Sequence, residues 1–588
     1  MEEEARDHSY SFALGCGDHS NEGTQHTPAA SCTHPKVNLS KLLRCVYEVL
    51  KTNKSASELP EMVALRNEHD QVISFCQENF CNIVLDGAVL FDRYLTRELG
   101  KDLSAAYYYG LVFVRCRDFE DAVYVTFIKN NQLMIRYLVS YKRGLPCTFA
   151  DVLNNKLEKL SIVDSCKLVS VTVDRDCFHC NEIDAILHSK RDRVNDLLEF
   201  HCVIYKLESM LGYALQKSMV DDPHVSIIAN LCNMLKNLAL ADDLNLGDIM
   251  FHGSECSTYT FFNYKTLDTI HNHWLDIVTK LNKILVDSLV EDDRQVISFI
   301  LETLKSTTFI VNLAFYLELF RCLHDWTRKV VNLGIPAYQV INELEGVSCT
   351  IRHHTSTGGS KVEEVREELQ LDIGRYKGVP IKCDLDEAVL VSTMERVCGL
   401  MSDILDDIVQ RSSRTIKTLS ILGSKTWPVD TCDLDAFGFD SVKMLAREYQ
   451  HSLLENIDVF QEWGSYKRTV LNSFVRDLRE NFDDIAPRMV SSFRGLYPGI
   501  VTLLSSVSLL CPASKVLQAQ SQSLLEGDQT EELMTIRVNG PPPGSLSMAA
   551  VGLDLLEEHG IERKAGVSDS SADCRFPLDV VRKIFNSA

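Results

Sequence analysis

Apolar positions change period twice along this chain, and the changes divide it. From Val37 the run NLSKLLRCVYEVL sets Leu42, Val46 and Leu50 four apart behind Ser40 as a cap, which predicts an amphipathic helix. A second helix is expected over 70–99. Residues 106–141 shift to β-branched and aromatic runs, YYYGLVFVRC, DAVYVTFIKN and NQLMIRYLVSY, which read as three sequential antiparallel strands. Between the last two, Asn130-Asn131 can adopt the positive φ angles of a tight hairpin turn. A helix over 149–161, a short strand over 167–174 (KLVSVTVD), another helix and the strand-like FHCVIYK (200–206) follow.

After about residue 207 the strand signal fades for nearly 300 residues. Ile310, Leu313, Leu317 and Phe320 recur at three and four, as do Val470, Phe474, Leu478 and Phe482, which is the spacing of a helix facing a core. Loops are expected near 353–362, 377–388 and 421–440, where Gly, Pro and Asp cluster. An apolar helix at 499–511 runs into Pro512, and GPPPG at 540–544 introduces a tail with one short helix near 575–586. Residues 1–36 lack apolar periodicity, and a segment with so little to bury is expected to be disordered. Three meandering strands followed by alternating helix and strand is the order of a ribonuclease-H-like core, a topology that periodicity alone leaves open.

Composition narrows the function classes. At 588 residues with 45% hydrophobic, 24% charged and 8% aromatic residues, the chain is neither largely disordered, nor collagenous, nor a coiled-coil rod. Its net charge of -22 argues against a broad phosphate-neutralising surface, so any nucleic-acid contact would be local. The 20 cysteines are too sparse for a disulfide-stapled secreted domain, and MEEEARDHSYSFALG is no secretory signal. The most apolar window, 307–320, contains Asn312 and Glu318 and is shorter than the ~20 residues that span a bilayer. An intracellular chain with reduced thiols and no membrane partner is the expectation.

Candidate metal chemistry is thin. Cys177, His179 and Cys180 with His201 and Cys202 depart from zinc-ribbon spacing because the second pair is adjacent. The loose N-terminal set Cys16, His19, His26, Cys32 and His34 lacks a second Cys pair. Asp403, Asp406 and Asp407, and Asp433, Asp435 and Asp440, read as solvated charge rather than a cation site. Gly423-Ser424-Lys425-Thr426 falls short of a phosphate loop, since Lys does not follow a glycine. Hydrolase elbow, zincin and dinucleotide signatures are absent from the sequence. No metal or cofactor is expected.

Several segments, read in order, resemble hAT-superfamily transposases, specifically the vertebrate transposase-derived proteins that carry N-terminal zinc fingers and a C-terminal dimerisation region. NLSKLLRCVYEVLKTNKSASELPEMVALR (38–66) resembles the helical segment before the family's core, and VYVTFIKNNQLMIRYL its central hairpin. VTVDRDCFHCNEIDAI with EFHCVIYKLESMLGYAL resembles the block joining a catalytic strand end to a His-Cys helix. TWPVD, LYPGIVTLLSSVSLLCPASKVLQAQSQSLL and ELMTIRVNGPPPG resemble the family's C-terminal region. The N-terminal fragment is similar to the tail of a truncated finger.

The resemblance implies an α/β plus all-α protein, a degenerate ribonuclease-H-like core interrupted by a large α-helical insertion. Its boundaries would be a disordered N-terminus (1–36), a helical segment (37–104), the first part of the core (105–216) and the insertion (217–490). The last part of the core with the dimerisation region (491–530) and a partly flexible tail (531–588) would complete it. Active members hold two Asp and one Glu around divalent metal, because two hard cations must be neutralised while they activate water. Asp174 fills the second Asp position, whereas the first falls at Val114 to Arg117, with Arg115 or Arg117 the wrong sign beside a metal and Asp118 the nearest acid. The Glu position aligns on Ala519, and the next acid, Glu526, is seven residues on. Tyr205 and Thr258-Tyr259 replace further motif residues. The resemblance therefore implies a domesticated, catalytically inactive protein whose work is protein interaction or self-association, nuclear or cytoplasmic with the nucleus favoured by the resemblance, and with DNA a weak partner. Val501, Leu504, Leu509 and Leu510 are candidates for dimerisation provided the monomer core does not use them. The competing reading is a residual metal-dependent transposase or nuclease using Asp174 with Asp118.

Overall fold

Two asparagines make the tightest turn of the central sheet. Asn130 and Asn131 have φ of 51° and 62°, and Lys129 pairs with Gln132 across them, so the sequence pattern and the turn chemistry agree. The computed structural model describes residues 36–52, 54–65, 70–117, 120–142, 147–160, 167–174, 180–191, 197–202, 207, 264–287, 291–333, 335–411, 414–428, 430–449, 458–474, 482–512, 516, 531–543, 545–548, 550–552, 554 and 575–585.

The chain enters through β1 (Lys36–Asn38) and helices α1 (Leu39–Thr52), α2 (Leu59–Ala64) and α3 (Asp70–Ala105). The cap of α1 is Asn38, whose Oδ1 accepts from the Lys41 amide at 3.1 Å; Ser40, expected in that role, is already inside the helix. Strands β2 (Tyr109–Arg117), β3 (Glu120–Lys129) and β4 (Gln132–Lys142) form the antiparallel meander. Helix α4 (Phe149–Lys159), β5 (Leu168–Asp174), α5 (Cys180–Arg191) and β6 (Leu198–Cys202) follow. The sheet runs β4-β3-β2-β5-β6, with β5 parallel to both β2 and β6. The protein is thus a mixed α/β sheet joined to a large all-α part.

Alternation along the strands serves two helical layers. Leu111, Phe113, Val123, Val125, Phe127, Val171 and Val173 pack on one face with Leu99, Leu103, Phe149, Leu153 and Ile183. Val112, Val114, Ala122, Tyr124 and Phe200 on the other face join the core of the helical region. That region is built on long helices α6 to α10: Tyr264–Asn272, Trp274–Asp287, Glu291–Leu304, Thr307–Leu333 and Ala337–Thr357. Ile310, Leu313, Leu317 and Phe320 are all buried on α9, as their spacing predicts.

Two sequence expectations fail here for local reasons. The loop expected at 353–362 is only the turn Gly358-Gly359, with φ of 72° and 91°; helix α10 runs to Thr357 and α11 (Ser360–Leu371) begins at once. The single helix implied by Val470 to Phe482 ends at Ser473, where Phe474 turns extended at φ -123° and ψ 135°. Phe482 starts the next described helix, Phe482–Phe493. The helix expected at 499–511 spans Pro498–Ser508 and lies on the sheet.

The end of the chain returns to its beginning. Residues 531–543 and 575–585, expected within a partly flexible tail, are packed against α1 and α3: Ile536, Val581, Ile584 and Phe585 share a core with Leu42, Val46, Leu50, Leu90 and Phe91. Strand β7 (Arg575–Pro577) pairs antiparallel with β1. Lys51 reaches from α1 to the carbonyls of Ile536 (3.2 Å), Arg537 and Gly540 (2.6 Å), and Tyr47 donates to the Pro541 carbonyl at 2.7 Å. The same device recurs: Lys167 donates to the Ser104 and Ala106 carbonyls at the end of α3, and Lys467 to those of Leu434, Asp435 and Phe437 after the short helix Thr431–Ala436. An ammonium at a helix C-terminus satisfies orphan carbonyls and complements the helix dipole.

Candidate functional site

Asp174 closes the central parallel strand and is 1% exposed. Its face follows from alternation. Val173 packs in the α4/α5 layer, so Asp174 shares the opposite face with Ser170 and Thr172, both fully buried. Gly110 confirms the side, since a Cβ there would stand 2.5 Å from Ser170 Oγ and 2.8 Å from the Leu509 carbonyl. The absence of a side chain at Gly110 lets the turn after helix Pro498–Ser508 press onto the sheet, where Thr126 Oγ1 donates to the Leu509 carbonyl at 2.8 Å.

The parallel register sets Phe113 against Val173, which brings Val114 level with Asp174 on the neighbouring strand. Val114 is fully buried in the helical-side core. Arg115, expected beside the acid, belongs instead to the other face. Its register partner is Asp121, a fully buried carboxylate on β3. Alternation puts Asp121 with Val123 and Val125, so Asp121 and Asp174 occupy opposite faces and cannot share an ion. On its other side Asp174 pairs in register with Cys202 of β6. Ala519, Asp118, Arg117's side chain and Glu526 lie outside the described residues, as do Tyr205, Thr258 and Tyr259.

The candidate interface residues are not available as surface. Val501, Leu504, Leu509 and Leu510 are 1%, 0%, 1% and 2% exposed, held in the chain's own core. Every residue from Gly499 to Val507 is buried, because this helix is covered by the sheet beneath it and by the surrounding helices. The condition for their dimerisation role, exposure, is therefore not met. Its N-terminus is capped from outside: Glu462 Oε2 accepts from the Ile500 amide at 2.8 Å. Burial raises the Glu462 carboxyl above the usual range, and the amide bond works against that rise.

The Cys and His positions weighed for zinc, Cys177, His179 and the N-terminal set, lie outside the described residues, as do the side chains of Cys180, His201 and Cys202. Asp406 accepts from Ser348 Oγ at 2.8 Å and pairs with Arg352, and Asp435 pairs with Arg468 at 3.3 Å. Asp403, Asp433 and Asp440 are exposed. Among the described residues no three His, Cys, Asp or Glu side chains come together as a metal site. Ser424 to Thr426 form a single 3₁₀ turn.

Sequence reasoning missed one buried cluster. On α9, Glu318 and Cys322 are one turn apart; Cys322 Sγ meets His354 Nε2 of α10 at 3.7 Å, and Arg321 holds the Glu318 carboxylate at 2.7 Å. Burial lowers the His354 pKa and raises that of the Cys322 thiol, so both are held neutral. Spacing gave no signal for it, because the partners are 32 residues apart. No protein-family model and no curated protein matches this chain. Among the described residues no helix is long and apolar enough to cross a membrane.

Proposed function

We propose that this protein is a catalytically inactive, hAT-transposase-derived chain with a degenerate ribonuclease-H-like core, working in the nucleus through protein interaction or self-association. Support for the core comes from the strand order β4-β3-β2-β5-β6 with only β3 reversed, the arrangement a ribonuclease-H-like sheet requires. The helical region enters after β6, and helix Pro498–Ser508 returns to the same sheet, as in a core split by an insertion. The observation that carries the inactive reading is Val114. A fully buried valine stands level with Asp174 where the resemblance needs a second carboxylate, and Asp121, the buried carboxylate of β3, is on the wrong face. One carboxylate cannot neutralise two divalent cations.

Interaction would use a surface other than 501–510. Leu371, the last residue of α11, and Ile373 just beyond it, 88% and 87% exposed, are the most exposed large apolar side chains among the described residues. The test is the mass of the full chain by light scattering, with and without Mg2+ and duplex DNA, for the native protein and a Leu371→Glu/Ile373→Glu variant. A dimer indifferent to metal and DNA, and dissociated by the double substitution, agrees with the proposal. Mg2+-dependent DNA nicking that Asp174→Asn abolishes would overturn it in favour of a residual nuclease, the reading to which a buried Asp174 at a strand end gives its one point of support.

A further inference from the structure

Away from Asp174, at the opposite end of the sheet, the β3-β4 turn overhangs a cleft of about 440 Å³ lined by Asn130, Asn131, Gln132, Ser473, Phe474, Arg488, Ser492 and Phe493. Its volume is in the range of small-molecule sites, about 300–1,000 Å³. Among the described residues the lining contains no carboxylate, although the chain carries 82 Asp and Glu against 60 Lys and Arg. Other basic side chains nearby are engaged: Lys129 pairs with Asp102 at 2.6 Å, and Arg494 stacks on the Tyr107 ring at 3.4 Å. Among the described residues Arg488 makes no hydrogen bond or ion pair, and the side chains of Asn130, Asn131 and Gln132 make none either.

From this lining we infer a binding site for a nucleoside monophosphate. Arg488 supplies the planar, permanently charged donor set suited to a phosphate. Phe474 and Phe493 are partly exposed and offer rings against which a base can pack, a contact that tolerates any base. The carboxamides of Asn130, Asn131 and Gln132 present paired donors and acceptors of the kind that read a base edge. The backbone of the turn that carries them is set by the positive φ angles of both asparagines and by the Lys129–Gln132 pair. The site owes nothing to the transposase reading and stands at the other end of the strands from Asp174.

The experiment is calorimetric titration of the full chain with AMP, adenosine and inorganic phosphate, at low and moderate salt. AMP should bind at least tenfold more tightly than either fragment, with affinity falling as salt rises. Arg488→Gln, on an exposed face of its helix, should weaken AMP at least tenfold while leaving any adenosine binding unchanged. Phe474→Ala should weaken AMP and adenosine alike, and the circular dichroism of both variants should match the native chain. Absence of AMP binding at millimolar concentration overturns the inference. So does AMP binding that is equal in the native and Arg488→Gln proteins.

Discussion

Replacing Asn539 by leucine should unlatch the C-terminal segment from the sheet. Strand β4 is an edge of the sheet, and its outward amide and carbonyl at Tyr137 are both taken by one side chain: the Tyr137 amide donates to Asn539 Oδ1 at 2.6 Å, and Asn539 Nδ2 donates to the Tyr137 carbonyl at 2.7 Å. Asn539 is 8% exposed, so Asn539→Leu keeps the shape and leaves two buried backbone groups unpaired. At about 1–3 kcal/mol for each orphaned group, less about 1 kcal/mol for the added apolar burial, the net cost is about 1–5 kcal/mol. With 1.4 kcal/mol per factor of ten, local opening should rise by roughly 5- to 4,000-fold. The opening is local, so the assay is native-state hydrogen exchange read on peptides covering 132–142 and 531–543. Both should exchange faster together, while peptides from α10 stay unchanged. Asn539→Asp should open the latch as well at neutral pH, because its carboxylate faces the Tyr137 carbonyl without a donor, and should recover as the acid protonates. Exchange in Asn539→Leu within twofold of the native rate would refute the latch.

Three further outcomes follow from the same geometry. Burial, aided by Arg136, lowers the Lys51 ammonium to about 8 from an ordinary 10.5; below pH 8 both folded and unfolded chains hold the proton, and between 8 and 10.5 only the unfolded one does. Stability should therefore rise with pH across that window in the native chain relative to Lys51→Met, read as the difference in thermal midpoints; a parallel pair of curves would contradict the shift. Glu462→Ala removes the acceptor at the Ile500 amide and should cost about 1 kcal/mol, with Glu462→Gln costing less; equal melting of Ala and native proteins would argue against the cap. Gly359→Ala places a Cβ 2.3 Å from Glu318 Cγ at a φ of 91° and should lower the thermal midpoint by more than any other Gly→Ala change with open space around it, such as Gly464→Ala.

What the sequence disclosed depended on range. The Asn130-Asn131 hairpin was legible because its chemistry is complete within two residues. The buried stripe of α9 was legible because helix periodicity is local. The break at Phe474 was not, since the apolar spacing from Val470 to Phe482 continues across it and periodicity has no term for a backbone turn. At the candidate site the sequence left a window, Val114 to Arg117, with Arg115 taken as the remnant position. Strand alternation makes Val114 and not Arg115 the neighbour of Asp174, and a shift of one position exchanges the faces of a sheet. The Asn539–Tyr137 latch, with partners 402 residues apart, leaves no trace in local pattern.

Those distant pieces decide what can be separated from what. Helix Pro498–Ser508 covers the face that carries Asp174, Asn539 closes the edge at β4, and Ile536, Val581, Ile584 and Phe585 cover α1 and α3. The strands of 105–216 are thus complete in hydrogen bonding and burial only when segments from beyond residue 490 are present. A chain ended at 530 would bare the Tyr137 edge and the apolar faces of Leu42, Val46 and Phe91 at once. An open edge strand beside uncovered apolar helices is a template for pairing with other copies. Self-association measured on such a fragment would report exposed core, so only the full chain can reveal whether Leu371 and Ile373 join two molecules.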